Sequence, residues 1–228
     1  MNTAIHITGL LAILGATLYA VGDVLLLAGK ADLKDYPKLQ PFAKLLSDAE
    51  KMVALSHKRM IWGALLGVFA TPLVLLGYWQ VHQGLGGGTN WLALATVGLP
   101  GIGSVIGAFV HGTFYYMGEY VQALNQVEEK SQAVIAGMIE RHKKVLIISY
   151  APLLIFIIIA SVMFSILIAS GDTHFPVWMA WINPLTMTIA WLVLKRILPQ
   201  FVRNWTEGAS FNIAFMAFFT CTTLTLWN

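Results

Sequence analysis

An all-α membrane protein of six transmembrane helices is the fold the sequence predicts, and three observations predict it. Hydrophobic residues fill 57% of the 228 positions and charged residues only 11%, whereas soluble domains carry about 25% charged residues. A chain this short has too little interior to hide so much Leu, Ile, Val and Phe from water, so a bilayer must act as solvent for the excess. The apolar residues also gather into six runs near the ~20 residues that cross a hydrocarbon core. Finally, every Lys and Arg falls in alternate connections between those runs.

The first run spans Ala4 to Gly29. It lacks a basic leader and a small-residue cleavage site, so it is expected to be a retained helix, not a removed signal peptide. The second spans Met60 to Val81, the third Trp91 to Met117, and the fourth, the most purely apolar, Val145 to Ala169. The fifth spans Pro176 to Leu198 and the sixth Ala209 to Trp227. Asn183-Pro184 falls near the middle of the fifth, where proline removes a backbone hydrogen bond and predicts a kink. Trp79, Trp91, Trp178 and Trp227 gather at one interface as an aromatic belt. The lone Cys221 can form no intrachain disulfide and reads as a small packing residue.

Residues 30–59 hold seven Lys or Arg, residues 118–144 hold four and residues 195–208 hold three, which accounts for all 14. The Gly84–Asn90 and Gly171–Pro176 turns hold none, and neither do the chain ends. Short cytoplasmic loops carry the excess of Lys and Arg. Loops one, three and five are therefore expected in the cytoplasm and both termini outside. Two of these loops carry amphipathic helical patterns, Pro41–His57 (Phe42, Leu45, Leu46, Ala49, Met52, Val53) and Ser131–His142 (Val134, Ile135, Met138, Ile139). The first would lie on the membrane surface or extend helix two, with Pro41 suited to a first turn. No linker or soluble domain interrupts the chain, so residues 1–228 read as one six-helix domain.

Ionisable groups among apolar residues in a bilayer are costly and mark functional sites by default. Here they are few. Asp23 lies about 10 Å along helix one from Lys30, and His111 about 12 Å along helix three from Glu119, at 1.5 Å per residue. Both helices run from outside to inside, so Asp23 and His111 are expected in one layer of the cytoplasmic half. Gly103, Gly107, His111, Tyr115 and Glu119 form a stripe with a step of four, its glycines permitting close helix approach. Ala12, Ala16, Tyr19 and Asp23 form a second small-then-polar stripe. His57 extends a face through Ala64 and Thr71, and Asn212 sits one turn inside Gly208. These stripes predict a cytoplasmic-half cavity between helices one, two, three and six. Its lining would be Asp23, His57, His111, Tyr115, Glu119 and Asn212, with Tyr19 beside it and Asn183 a candidate for its upper part. Helix four has no ionisable group and is expected at the lipid-facing periphery.

Two blander explanations weigh against a site. Asp23 and His111 can pair merely to fix helix packing, which intramembrane polar pairs do at order 1 kcal/mol. Glu119, His57 and Glu207 stand near the interface, where charged groups reach water. Asp23, His57, His111 and Glu119 together offer zinc-ligand chemistry, yet no HxxxH, HExxH or CxxC spacing occurs, so no metal is expected. There is no Walker loop, GxSxG elbow, Rossmann fingerprint or nucleic-acid module, so neither a cofactor nor a nucleic-acid partner is implied.

Three stretches carry a resemblance: Gly22-Asp23-Val24-Leu25-Leu26, the HGTFYY segment from His111 to Tyr116, and Asn183-Pro184-Leu185 through LKRILP to Gly208 and Asn212. Through them the chain resembles an uncharacterised family of small bacterial six-span integral membrane proteins of unknown function. That resemblance implies the bacterial inner membrane and brings no activity. From the residues themselves, the leading expectation is an intramembrane enzyme acting on a lipid or apolar substrate. His111 would be the general acid/base, oriented by Asp23 or Tyr115, with Glu119 as a second proton carrier, since imidazole suits proton transfer near neutral pH. The alternatives are a small proton-coupled transporter, for which a three-plus-three inverted topology is relevant, and a membrane scaffold with a purely structural pair. Membrane lipids are the expected partners in every case, and the sequence is silent on oligomeric state.

Overall fold

Six apolar runs become six helices, with altered boundaries. The computed structural model describes residues 3–29, 31–47 and 49–227, which leaves out Lys30, the depth marker for Asp23. The helices of those runs are α1 (Thr3–Leu27), α2 (His57–Gly84), α3 (Trp91–Gln126), α4 (Glu129–Ala169), α5 (Pro184–Ile197) and α6 (Ser210–Thr225), with a short helix, Gln200–Trp205, joining the last two. The first four are long and apolar enough to cross a membrane. At 14 and 16 residues, α5 and α6 fall short of the usual ~20. Large apolar side chains stand exposed along the outer faces, among them Leu10, Leu14, Phe69, Val105, Ile148 and Val162. So large an apolar surface fits a membrane-spanning protein and not a water-soluble one.

The helices pack in sequence. α1 lies along α2, α2 along α3, α3 along α4, and α6 returns to α1. Small residues make the α1–α2 seam tight. A Cβ on Gly77 would fall 2.3 Å from that of Ala12, and one on Gly15 would lie 3.1 Å from the Ala70 carbonyl oxygen. α5 leans on α6 and touches α4 sparsely. Its start is tied to α4 by the Leu185 N–H, which donates to Ser161 Oγ at 3.2 Å. The α2–α3 turn runs through Gly86, Gly87 and Gly88 at φ of 107°, 62° and 89°, a region that L side chains rarely enter.

Four expectations need correction. First, residues Pro176–Leu198 are not one kinked helix. A 3₁₀ helix, Val177–Trp181, is followed by a break, and Asn183 caps α5 with Pro184 in its first turn. The Asn183 side chain accepts from the Thr186 N–H at 3.0 Å, and the Thr186 hydroxyl accepts from the Asn183 N–H at 3.2 Å. Proline drives its predecessor out of the helical region and is well suited to a first turn, so Asn-Pro starts a helix here.

Second, Ser131–His142 is helical as its pattern predicts but does not belong to a loop. It forms the first part of α4, which follows α3 after a break at Val127–Glu128. Third, Pro41–His57 neither lies flat as one helix nor extends α2 as a whole. Pro41 sits within a 3₁₀ helix, Pro37–Phe42, followed by a single turn, Ala43–Leu46, and a second 3₁₀ helix, Ala49–Ala54. Ser47, at φ 38°, breaks the pattern. Leu39, Leu46, Met52 and Leu55 from this segment are buried with Val121, Leu124 and Ile139, so it caps the Lys- and Arg-bearing end of the bundle, called the basic end below. Fourth, α4 is not merely peripheral. Ile147, Ile155 and Ile166 are exposed, but Ile157, Ala160, Phe164 and Ile168 belong to the core shared with α1, α2 and α6.

Candidate functional site

The polar centre of the bundle begins with glycines on two helices. α1 and α2 cross at Gly22 and Gly63, where a Cβ on Gly22 would come 2.7 Å from the Gly63 carbonyl oxygen. One turn on, at Gly67, a Cβ would stand 2.3 Å from His111 Cγ, and one on Gly22 would stand 2.9 Å from His111 Cε1. The missing side chains thus form a notch, and the His111 imidazole fills it from α3 at 6% exposure. The Tyr19 ring meets it edge-on, with centroids 5.4 Å apart. The Tyr19 hydroxyl pairs with Thr71 Oγ1 at 2.5 Å, and Thr71 in turn donates to the Gly67 carbonyl at 3.1 Å.

Three groups meet at this notch. His111 Nε2 lies 3.1 Å from Asp23 Oδ1. Asn212, arriving on α6, donates its amide to Asp23 Oδ2 at 2.6 Å. His111 Nδ1 lies 3.3 Å from the Ala64 carbonyl oxygen. The proton count follows from these partners. A carbonyl only accepts, so Nδ1 carries a hydrogen. The Nε2–Oδ1 contact needs a hydrogen too, on the imidazole or on the carboxyl. The pair is then either imidazolium with carboxylate or imidazole with carboxylic acid, and in both forms it is neutral and holds one proton between its partners. Neutrality offsets the ~2.5–3.5 kcal/mol that an unpaired Asp costs at the centre of a membrane helix.

Asp23 and His111 sit at one end of a cavity of about 200 Å³. Tyr19 and Ala16 line it from α1, Val74 and Tyr78 from α2, Gly103, Ser104 and Gly107 from α3, and Asn212 and Phe215 from α6. α4 contributes Tyr150, Leu153 and Ile157, so the helix expected at the periphery forms a wall. Gly103 and Gly107 let α4 come close, as the stripe suggested: a Cβ on Gly107 would lie 3.3 Å from Leu153 Cδ1, and one on Gly103 would meet the Leu153 backbone. At Gly103 the contact is no nearer than 3.8 Å, which leaves room in the cavity wall. Leu27 and Gly208 line its basic end. Beyond them, the Lys51–Glu207 ion pair (2.9 Å) ties the capping segment to the α5–α6 connection. The Arg59 guanidinium donates to the Leu25, Ala28 and Val24 carbonyls at 2.7, 2.8 and 3.2 Å and finishes α1.

The expected site residues therefore divide. Asp23, His111, Tyr19 and Asn212 come together. Glu119 and His57 do not join them: they pair with each other at 2.7 Å beyond the cavity, with the His57 side chain 65% exposed. Both stand at helix ends where water competes for them. Tyr115 bonds Glu119 and is likewise absent from the cavity lining. Asn183 is buried in its cap, its amide donating to Ser165 Oγ at 3.1 Å, and it is also absent from that lining. The four side chains weighed as metal ligands thus form two separate pairs, and no group of three such side chains assembles among the described residues. Tyr78, Ser104, Tyr150 and the Gly63–Gly67 notch were missed. The notch had a signal, since glycines four apart mark close helix approach.

The chain belongs to a family of unknown function, DUF6796, whose model matches residues 1–228. No curated protein and no solved structure matches it.

Proposed function

We propose, for this member of a family without an assigned activity, an intramembrane enzyme that performs acid–base chemistry on a lipid or other apolar substrate. In this reading Asp23 faces the substrate and His111 is its proton partner. The observation that carries the proposal is the ring of His111 and Asn212 around Asp23 toward one end of an otherwise largely apolar cavity. The roles of the pair are reversed from the sequence expectation. Both imidazole nitrogens are engaged by protein atoms, whereas a carboxylate has about four lone-pair sites and Asp23 uses two. A substrate O–H or acidic C–H would give its proton to the Asp23–His111 pair and receive one back at another atom, so no co-substrate is needed for balance. Glu119 has no part in this relay.

The same reading includes six membrane passes, with the 3₁₀ helix and α5 together making the fifth and α6 the sixth. The basic end faces the cytoplasm and both termini face outside, on the strength of the one-sided Lys and Arg. The bacterial inner membrane is the proposed location.

The test is conversion of lipid. Purified protein is reconstituted in a total bacterial lipid extract and the extract is followed by liquid chromatography with mass spectrometry, which separates isomers of equal mass. One species should fall and a product rise with the wild type. Asp23→Asn should slow that conversion by about 10²-fold or more, and Glu119→Gln should not change it. Conversion that persists in Asp23→Asn would end the proposal. So would an unchanged lipid pool alongside Asp23-dependent solute uptake in proteoliposomes, which would make the site a carrier's.

A further inference from the structure

The lining of the cavity carries information about the head group of its ligand. No Lys or Arg lines it, although the chain has 14. An anionic head would therefore meet no cation except the imidazolium already committed to Asp23, and burying an uncompensated charge is expensive. A cationic head fares no better. The one carboxylate, Asp23, is already balanced within a neutral proton-sharing pair. What remains near the pair is hydrogen-bonding capacity without net charge: the free lone pairs of Asp23 and the Tyr150 hydroxyl in the wall.

The shape supplies the rest. Along α3 the lining runs from Phe114 to Pro100, roughly 21 Å at 1.5 Å per residue. A second, narrower void of about 20 Å³ begins where the first ends, sharing Tyr78, Pro100 and Ile157 and continuing to Phe164 and Phe218. Its wall is nearly all apolar. The polar pair thus stands toward one end of a long, mostly apolar path, interrupted only by the Ser104–Tyr78 hydroxyl pair, whose members bond each other at 3.4 Å. Access from the side is also available. α4 and α6 both line the cavity without packing extensively on one another, and α5, which leans on α6 and meets α4 sparsely through its start, contributes no residue to the cavity wall.

We infer that the ligand is a membrane amphiphile with one long apolar chain and an uncharged hydroxyl or carbonyl head, which enters sideways between α4 and α6 and lays its head at Asp23 and its chain toward Phe164. This deepens the acid–base reading above and rests on its site, but it concerns recognition and not catalysis.

The experiment uses the full-length protein in lipid nanodiscs and three photoreactive probes. Each has the same unbranched chain with a mid-chain diazirine, and they end in an alcohol, a carboxylate and a trimethylammonium. After irradiation, the adducts are mapped by peptide mass spectrometry. The alcohol should label the cavity faces of α4 and α6, near Leu153, Ile157 and Phe215, about tenfold or more above either charged probe. Gly103→Leu, which fills the open wall, should remove most of that labelling, while Gly103→Ala, which adds only a methyl in ordinary contact, should retain it. Equal labelling by a charged probe, or labelling indifferent to Gly103→Leu, would overturn the inference, the latter by showing that the probes report only the lipid-facing surface. Asp23→Asn keeps the two readings apart. If this variant binds the alcohol but converts no lipid, both stand. If it still converts lipid, the acid–base reading fails while the ligand class survives. If the wild type does not bind the alcohol yet its turnover depends on Asp23, the ligand class fails alone.

Discussion

Replacing Gly67 with alanine adds one methyl group, and its consequences can be worked from the notch it would enter. The new Cβ would stand 2.3 Å from His111 Cγ, 2.4 Å from Nδ1 and 2.6 Å from Cδ2, where carbon atoms ordinarily keep about 3.5–4.0 Å. The imidazole must therefore retreat from α2 by roughly 1 Å. The Ala64 carbonyl belongs to α2 as well, so the 3.3 Å contact with Nδ1 lengthens beyond hydrogen-bond range. Overpacking costs about 1–3 kcal/mol and the lost hydrogen bond about 0.5–1.5 kcal/mol. Against this, Gly→Ala within a helix gains about 0.5–1 kcal/mol. The net expectation is a loss of about 0.5–4 kcal/mol, centred near 2 kcal/mol. Gly103→Ala is the control, since its Cβ meets nothing nearer than 3.8 Å and only the helix gain remains. Unfolding followed by intrinsic Trp fluorescence in detergent should then separate the two variants by several degrees, at roughly 2–4 °C per kcal/mol for a chain of this size. Equal melting temperatures, with the ¹⁵N signals of His111 unmoved, would refute the notch.

Three further outcomes follow from the same geometry. Arg59→Gln removes the charged donor to the Val24, Leu25 and Ala28 carbonyls at the end of α1, and chemical unfolding should show a loss of about 2–3 kcal/mol, with protease access opening near Ala28. Asn183→Ala should cost about 1 kcal/mol through the lost α5 cap and Asn183→Ser much less, as read by thermal melts. Removing the exposed His57–Glu119 pair as His57→Ala or Glu119→Gln should change stability by no more than about 0.5 kcal/mol, and lipid conversion should be unaffected.

The sequence reveals most where a residue's position follows from its own helix. Asp23 and His111 share a depth because each can be counted from a charged neighbour on a parallel helix, and the period of four put Asn212 and Tyr19 on inward faces. The structure joins these residues within hydrogen-bond distance. It separates those for which the same counting ends at an interface. Glu119 lies on the His111 stripe, but two turns on it is already close enough to water to pair with exposed His57. Features that depend on two helices at once stayed hidden. The Gly22, Gly63 and Gly67 notch exists only once α1 and α2 are aligned, whereas the glycines visible on α3 mark a separate approach to Leu153 of α4. α4 was judged by its lack of ionisable groups, which overlooked the hydroxyl of Tyr150. Asn183-Pro184 has two local outcomes, a kink or a start. The choice was made by Ser161 and Ser165, which take up the Leu185 N–H and the Asn183 amide.

An Asp23–His111 pair that shares one proton at the polar end of the cavity is the centre of this account, and dicyclohexylcarbodiimide, which captures the pair irreversibly whenever the proton is on the carboxyl, probes it most directly. The reagent is apolar and adds across the O–H of a protonated carboxylic acid. The O-acylisourea then rearranges to a stable N-acylurea with no atom lost. With the purified protein in detergent or nanodiscs, peptide mass spectrometry should find the adduct on Asp23 ahead of Glu119 and Glu207. Gly103→Leu should slow its formation, and Asp23→Asn should abolish it. An unmodified Asp23 beside labelled Glu119 or Glu207 would contradict the account.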